Sequence, residues 1–244
     1  VQRGMLFIFL LLGITWLLLT LQFFKVLPAV LYWLSVAILS IGLFFAGRLW
    51  FFYSKEGTPG AGDNMICTAL AMEIGKYFAE QKAIGNGLQH TRVVVASWDA
   101  EEAGLRGSRA YVKEHLNNLK NVKTYNYNLE CMYDHRELGF LTSDLNSFVP
   151  LSKDMAQECS DVAKSLGYDI GTTVFPFMAG GTDSAEFAKE GIESTCLAAM
   201  SWTDRGEAPA YHTLRDTIEA VDPEAVKTSI EVGIHYILQK DKAI

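Results

Sequence analysis

The stretch TRVVVASWDAEEAGLRGS, residues 91–108, decides the expected fold. Residues 91–97 are apolar and β-branched, which is typical of a buried strand in a parallel sheet. A helix is predicted to follow over residues 108–116. The adjacent carboxylates Glu101 and Glu102 therefore lie beyond the carboxyl end of a predicted strand, where open α/β sheets place their active sites.

This acidic pair has two interpretations when it is taken alone. One carboxylate could hold a metal ion while its neighbour acts as a base on a metal-bound water. Alternatively, Glu101 and Glu102 only add negative charge at the start of a helix, which stabilises that helix. Other stretches of the chain are needed to choose between the two.

Composition divides the chain into two parts. Residues 1–53 are almost wholly apolar, whereas residues 54–244 have the composition of an acidic globular domain. The 244 residues suffice for one domain with a sizeable core plus additional segments. The formal net charge of −7 gives no electrostatic reason to expect a nucleic-acid partner.

The first part contains two long uncharged runs, residues 5–24 and 29–47, with Lys25 and Pro28 in the turn between them. As helices, both runs are long enough to cross a hydrocarbon core of about 30 Å. The pattern predicts a transmembrane helical hairpin in contact with a lipid bilayer. A buried hairpin of a soluble protein is the alternative. A cleaved signal peptide fits poorly, because a second apolar run follows the first.

Basic residues around this hairpin predict its orientation. Arg3, Arg48 and Lys55 flank the outer ends, and only Lys25 lies in the turn. Cytoplasmic segments of membrane proteins carry an excess of Lys and Arg. The distribution therefore predicts that the domain after the hairpin is on the cytoplasmic side.

Strands and helices are predicted to alternate through residues 54–244. The predicted strands cover residues 91–97, 124–132, 139–142, 172–177 and 194–199, and the predicted helices cover residues 65–82, 108–116, 152–166, 184–189 and 226–239. This alternation is typical of an α/β domain with a mostly parallel central sheet flanked by helices.

The domain contains four cysteines without close pairing or a Cys-x-x-Cys motif. Two of them, Cys131 and Cys196, lie in predicted strands, where a free cysteine behaves as a small buried apolar residue. We therefore predict that the four are reduced and do not assign them as metal ligands. They are Cys67, Cys131, Cys159 and Cys196.

Acidic and imidazole side chains occur at loop positions beside the ends of several predicted elements. They are Asp63, Glu101, Glu102, Glu130 and His212. Carboxylates and imidazole are suitable zinc ligands, and a catalytic zinc keeps one position open for water. Structural alternatives exist for three of them: Asp63 as a helix cap, Glu130 as a strand-end carboxylate and His212 as a surface histidine.

Four motifs in this order resemble the zinc aminopeptidase family, whose superfamily also contains glutamate carboxypeptidase and glutaminyl cyclase. They are GAGDN at residues 60–64, EEAGLRGS at residues 101–108, GTD at residues 181–183 and YHT at residues 211–213. The resemblance extends from Gly57 to the end of the chain and implies a zinc aminopeptidase-like fold.

The resemblance also implies a role for each matching residue. It makes Asp63 the bridge between two zinc ions, with Glu102 and His212 as further ligands of one of them. It makes Glu101 the general base and Tyr211 a hydrogen-bond donor to the developing oxyanion. The implied chemistry is metal-assisted hydrolysis, in which zinc lowers the pKa of water and polarises the scissile carbonyl.

Two departures from the family pattern affect the second zinc ion. Glu130 stands where the family has an aspartate, and residues 1–62 contain no histidine, although the family places a His-x-Asp motif upstream. We expect one intact zinc site, Asp63, Glu102 and His212. The second site is left with carboxylates, which suit harder ions better than zinc. These departures predict that the chain is N-terminally incomplete.

The expected activity is removal of N-terminal residues from peptides, with zinc as the cofactor and a peptide as the substrate. Asp216 is expected to support the loop that carries His212. Two other functions remain open: a glutaminyl-cyclase-like acyl transferase with a single zinc, and a catalytically inactive membrane scaffold of the same fold.

Overall fold

A computed structural model of the chain describes residues 2–25, 28–47, 56–175, 180–200 and 210–242. The chain forms two compact units, Val1–Gly57 and Thr58–Ile244. Three features named above lie outside the described residues: the boundary predicted after residue 53, the basic residues Arg48 and Lys55, and the last two residues of the strand predicted over 172–177.

The first unit contains two helices, α1 (Gln2–Phe23) and α2 (Ala29–Gly47), where the sequence predicts helices. They pack closely at Gly42, because a side chain at this position would collide with Leu11. Within the described ranges, no helix combines the length and the apolarity that crossing a bilayer requires. The predicted transmembrane hairpin is therefore not supported, while the predicted cytoplasmic placement and N-terminal incompleteness stay predictions.

The second unit combines α-helices with a small β-sheet. Its helices are α3 (Ile66–Ala83), α4 (Arg106–Asn121), α5 (Lys153–Ser165), α6 (Ser184–Lys189) and α7 (Pro223–Lys242). Its strands are β1 (Tyr125–Met132), β2 (Leu138–Leu141), β3 (Ser143–Asp144), β4 (Val149–Pro150), β5 (Gly171–Thr173) and β6 (Glu193–Ala199).

The main sheet has the strand order β1, β6, β2, β5. β1 runs parallel to β6 and β2 runs parallel to β5, whereas β2 and β6 are antiparallel. β3 and β4 form a separate antiparallel pair. The predicted α/β fold with a mostly parallel sheet is confirmed, with one antiparallel pairing at the middle of the sheet.

Alternate side chains of β6 pack into different apolar layers. Leu197 and Ala199 belong to the large core that also contains residues of α3, α5 and α7. Cys196 and Ala198 belong to a second cluster with Phe175. Because successive strand residues point to opposite faces, this alternation buries both faces of the central strand.

Sequence signals explain the positions of the flanking helices. Leu70 and Ile74, four residues apart, are buried on one face of α3. Ser152 caps α5, because its side chain accepts a hydrogen bond from the backbone N–H of Met155. Gly167 follows α5 with a φ of 90°, a conformation that glycine adopts without steric cost.

Residues 91–97 form no strand, which corrects the prediction on which the sequence analysis opened. Val94 and Val95 are 60% and 43% exposed. The preceding backbone N–H groups of residues 89–91 donate hydrogen bonds to the carboxylate of Asp241 in α7. A strand needs a neighbouring strand to pair with its backbone. None of the described residues supplies a neighbouring strand, so the β-branched composition of residues 91–97 is not sufficient to make them a strand.

Candidate metal centre

The predicted site residues come from loops before helices and from the end of one strand. Asp63 precedes α3, Glu101 and Glu102 precede α4, Glu130 lies near the end of β1, and His212 precedes α7. The fold brings three of them together: Asp63, Glu102 and His212 offer ligand atoms that all lie within 4.8 Å of one another. These are the residues that the resemblance assigns to one zinc ion.

His212 is the centre of this group. Its Nε2 lies 2.7 Å from Glu102 Oε1 and 3.1 Å from Asp63 Oδ2. Hydrogen bonds to Asp63 and Glu102 raise the pKa of His212 to about 10. The hydrogen bond with His212 lowers the pKa of Glu102 in turn. A metal ion at this point competes with the histidine proton, because metal ligands must be deprotonated.

Glu101 lies beside the group without belonging to it. Burial, together with the negative charges of Glu102 and Asp183, raises its pKa to about 8. The backbone N–H groups of Gly104 and Leu105 donate hydrogen bonds of 2.8 Å to the Glu101 carbonyl oxygen and close the turn. A carboxylate with a raised pKa is a stronger base, as general-base catalysis near neutral pH requires.

Contacts between α4 and α6 hold the acidic turn in place. Ser108 donates a hydrogen bond to the buried carboxylate of Asp183. Arg109 donates two hydrogen bonds, of 3.0 and 3.1 Å, to the buried carboxylate of Glu186. Because both contacts involve the first turn of α4, they fix the start of the helix and the orientation of the acidic turn before it.

Asp216 anchors the loop that carries Asp63. Its carboxylate accepts hydrogen bonds from the backbone N–H groups of Gly62, at 2.8 Å, and Asp63, at 3.2 Å. Its own backbone N–H donates to the carbonyl oxygen of Thr213. Asp216 therefore ties the aspartate loop to the histidine loop, whereas the sequence analysis expected support of the histidine loop alone.

Tyr211 lies against the metal-binding candidate His212. Their rings stack with centroids 3.8 Å apart, and Tyr133 contacts Tyr211 edge-on. Burial raises the pKa of Tyr211 above its ordinary value. The phenol therefore stays protonated near neutral pH and can act as a hydrogen-bond donor.

A second group of potential ligands consists of Asp63, Glu130 and Cys131. Glu130 and Cys131 are buried, and the Cys131 Sγ lies 3.6 Å from Glu130 Oε1. Glu130 was predicted to lie here from the sequence, whereas no cysteine was predicted to bind a metal. All four cysteines are free, as predicted, and all four are buried. The only sequence signal for Cys131 was its adjacency to Glu130 at the end of a strand.

A third group, Asp134, His135 and Asp222, has structural partners of its own. Asp222 accepts hydrogen bonds from the backbone N–H groups of His135 and of Glu224 at the start of α7. The His135 Nδ1 lies 2.7 Å from the Asp222 carboxylate. Asp134 pairs with Arg136. These contacts explain the group as a surface network around the start of α7.

The donors of the first group fit zinc. Catalytic zinc is bound by three protein ligands, commonly imidazole and carboxylate, and keeps a fourth position for water or substrate. Asp63, Glu102 and His212 supply three such ligands. The side chains of Glu102 and His212 are 68% and 47% exposed, so that a substrate can reach the group from solvent.

Comparison with known proteins places these residues in a family. A sequence model described as Peptidase family M28 matches residues 51–237. The glutamate carboxypeptidase 2 homolog of Caenorhabditis elegans is 29% identical in an alignment of 198 residues that covers 72% of this chain and 26% of that protein. A zinc aminopeptidase from Bacillus subtilis superposes with a TM-score of 0.59 at 20% identity, covering 77% of this chain and 43% of that one.

A glutaminyl cyclase from Porphyromonas gingivalis shares the fold as well, with a TM-score of 0.54 and 16% identity over 76% of this chain and 65% of that one. The chain spans about a quarter of the length of the curated relatives that it matches. The family match covers most of the chain and includes Asp63, Glu102, Glu130 and His212. The chain therefore belongs to peptidase family M28.

Proposed function

We propose that this chain hydrolyses peptide bonds with a zinc ion held by Asp63, Glu102 and His212. One observation carries the proposal: two carboxylates converge on His212 Nε2 at 2.7 and 3.1 Å. When bound, zinc supplies a Lewis acid that lowers the pKa of water and polarises a carbonyl group. Membership of peptidase family M28 supports this choice of metal and reaction.

Glu101 is the general base in this proposal. Its carboxylate takes a proton from the attacking water and passes that proton to the leaving amine. In the metal-free protein its pKa of about 8 leaves it mostly protonated at neutral pH. Positive charge nearby lowers a carboxylate pKa. A cation at the neighbouring group therefore makes Glu101 available as a base.

Tyr211 stabilises the negative charge that develops on the carbonyl oxygen. Its hydroxyl stays protonated because burial raises its pKa. Stacking on His212 and the edge contact with Tyr133 restrict the phenol ring. A fixed donor aimed at a developing oxyanion requires no reorganisation during the reaction, which is the basis of oxyanion stabilisation.

We further propose a substrate with a free N-terminus, so that the chain acts as an aminopeptidase. The four motifs and the fold shared with a zinc aminopeptidase support this choice. The Caenorhabditis elegans relative bears a carboxypeptidase name, so an assay has to compare both ends of the peptide. A second candidate is cyclisation of N-terminal glutamine, favoured by the Asp63–Glu102–His212 group and the fold shared with a glutaminyl cyclase.

A panel of matched peptides separates these reactions. We expect the zinc-loaded chain to release the first residue of a free peptide and to leave its N-acetylated counterpart intact. A chelator should abolish the activity and added zinc should restore it. Release of the C-terminal residue from both peptides would show that the chain is a carboxypeptidase and would contradict the aminopeptidase proposal. Loss of ammonia from an N-terminal glutaminyl peptide without cleavage would favour the cyclase.

A further inference from the structure

A bulge near the end of β1 turns two consecutive side chains toward each other. Glu130 pairs with Ala198 and Met132 pairs with Ala199, so that Cys131 is an extra residue in the register. Cys131 has a φ of 46°, in the left-handed region. Successive side chains of a regular strand point to opposite faces. The bulge instead brings the Cys131 Sγ to 3.6 Å from Glu130 Oε1.

This spacing suits two ligands of one zinc ion. With Zn–S near 2.3 Å and Zn–O near 2.0 Å, a sulfur and an oxygen at the tetrahedral angle are about 3.5 Å apart. The observed separation of 3.6 Å between Cys131 Sγ and Glu130 Oε1 lies close to that value. A carboxylate oxygen of Asp63 lies within 4.8 Å of the Cys131 sulfur and of a Glu130 carboxylate oxygen and supplies a third donor.

Independent support for a cation comes from the burial of Glu130. Its side chain is only 8% exposed. Among the described residues, no lysine, arginine or histidine pairs with it, and its hydrogen-bonding contact is with the Cys131 thiol. Asp63 and Glu101 add negative charge nearby. Buried carboxylates are usually paired with cations or coordinate metals, so this one points to a bound cation.

We propose that the Cys131 thiolate is a ligand of a metal ion held beside it by Asp63 and Glu130. On binding, the thiol proton is released to solvent and a sulfur–metal bond forms. The thiolate changes the expected selectivity of this site, because carboxylates alone suit hard ions whereas a thiolate suits zinc. The inference rests on the proposed metal dependence of the first site, since Asp63 belongs to both groups.

Cobalt(II) titration of the metal-free chain tests this proposal. We expect two equivalents to bind, with a sulfur-to-cobalt charge-transfer band in the near ultraviolet that requires Cys131. C131S should lose the charge-transfer band and bind only one equivalent of cobalt. C67S is the matched control, because Cys67 is also a buried cysteine near the site but is outside the ligand group. C67S should keep the band.

X-ray absorption of the zinc-loaded wild-type chain gives a second measurement that requires no variant. A sulfur neighbour at about 2.3 Å from zinc is expected. Two bound metals with only nitrogen and oxygen neighbours, or a charge-transfer band that persists in C131S, would overturn the proposal. Because the readout is metal coordination, a chain that shows the band but cleaves no peptide contradicts the proposed function alone. A chain that cleaves peptides without the band contradicts this inference alone.

Discussion

The buried carboxylate of Asp216 accepts a hydrogen bond from the backbone N–H of Gly62, with 2.8 Å between the two atoms. Asp216 is only 1% exposed, and it also accepts from the N–H of Asp63. Leaving a buried donor without its partner costs about 1–3 kcal/mol. We expect D216A to lower the free energy of unfolding by about 2 kcal/mol and to weaken zinc binding, because Asp63 loses its anchor.

Urea denaturation and zinc titration measure these two effects. D216N is the matched control, since its amide oxygen can still accept one of the two hydrogen bonds, and its losses should be smaller. If D216A keeps both the wild-type stability and the wild-type zinc affinity, Asp216 does not position the aspartate loop.

Gly62 should tolerate no side chain. A Cβ there would lie 2.1 Å from Tyr133 Cε1 and 2.9 Å from Asp216 Oδ1. Forcing extra atoms into a packed site costs about 1–3 kcal/mol, so G62A should unfold at lower urea concentration and bind zinc less tightly. G171A is the control, because a Cβ at Gly171 meets no atom within 4 Å. Equal stability of the two variants would show that the loop around Gly62 adapts.

Zinc binding should release a proton from His212. Its pKa is raised to about 10 in the metal-free fold, so the imidazole is protonated at neutral pH and must lose that proton to bind zinc. Over the range from about pH 6.5 to 8, each pH unit should raise the zinc affinity about tenfold through this group. Calorimetry in buffers of different ionisation enthalpy measures the released proton. A binding enthalpy that is independent of the buffer would contradict this prediction.

The raised pKa of His212 also makes the stability of the metal-free protein depend on pH. A raised pKa means that the folded state binds the His212 proton more tightly than the unfolded state does. The resulting stabilisation is complete below the unfolded value of about 6.5. It is lost as the pH rises through about 10. H212A should lack this component, and urea denaturation of both proteins across that range provides the comparison. Parallel curves for the two proteins would show that His212 makes no such contribution.

Many helices and strands could be predicted from local sequence signals, because these elements depend mainly on residues that are neighbours in the chain. The four-residue spacing of Leu70 and Ile74 is such a signal for α3, and Gly167 is one for the end of α5. The strand predicted over residues 91–97 is absent, because a strand must pair with a partner strand that can lie far away in the sequence. The composition of these seven residues does not show whether such a partner exists. The apolar runs of the first unit predicted the two helices correctly. The membrane span that they also predicted is not supported, because no described helix is long and apolar enough.

The first metal group could be anticipated from the sequence, whereas the place of Cys131 in the second group could not. Asp63, Glu102 and His212 stand in recognisable motifs, and the fold brings them together. The approach of Cys131 to Glu130 depends on the register between β1 and β6, which are far apart in the sequence. A bulge is a property of that pairing and has no local signature.

Parallel determination of zinc content and peptide hydrolysis in Glu101→Gln tests the proposed mechanism most directly. Glu101 lies beside the zinc ligands but outside their group. We therefore predict that E101Q retains the zinc content of the wild type and hydrolyses peptides at least about 100-fold more slowly, the low end for loss of a general base. His212→Ala is the control that should lose the zinc ion of the Asp63–Glu102–His212 group together with the activity. A zinc-loaded E101Q that cleaves peptides at the wild-type rate would contradict the assignment of Glu101 as the base.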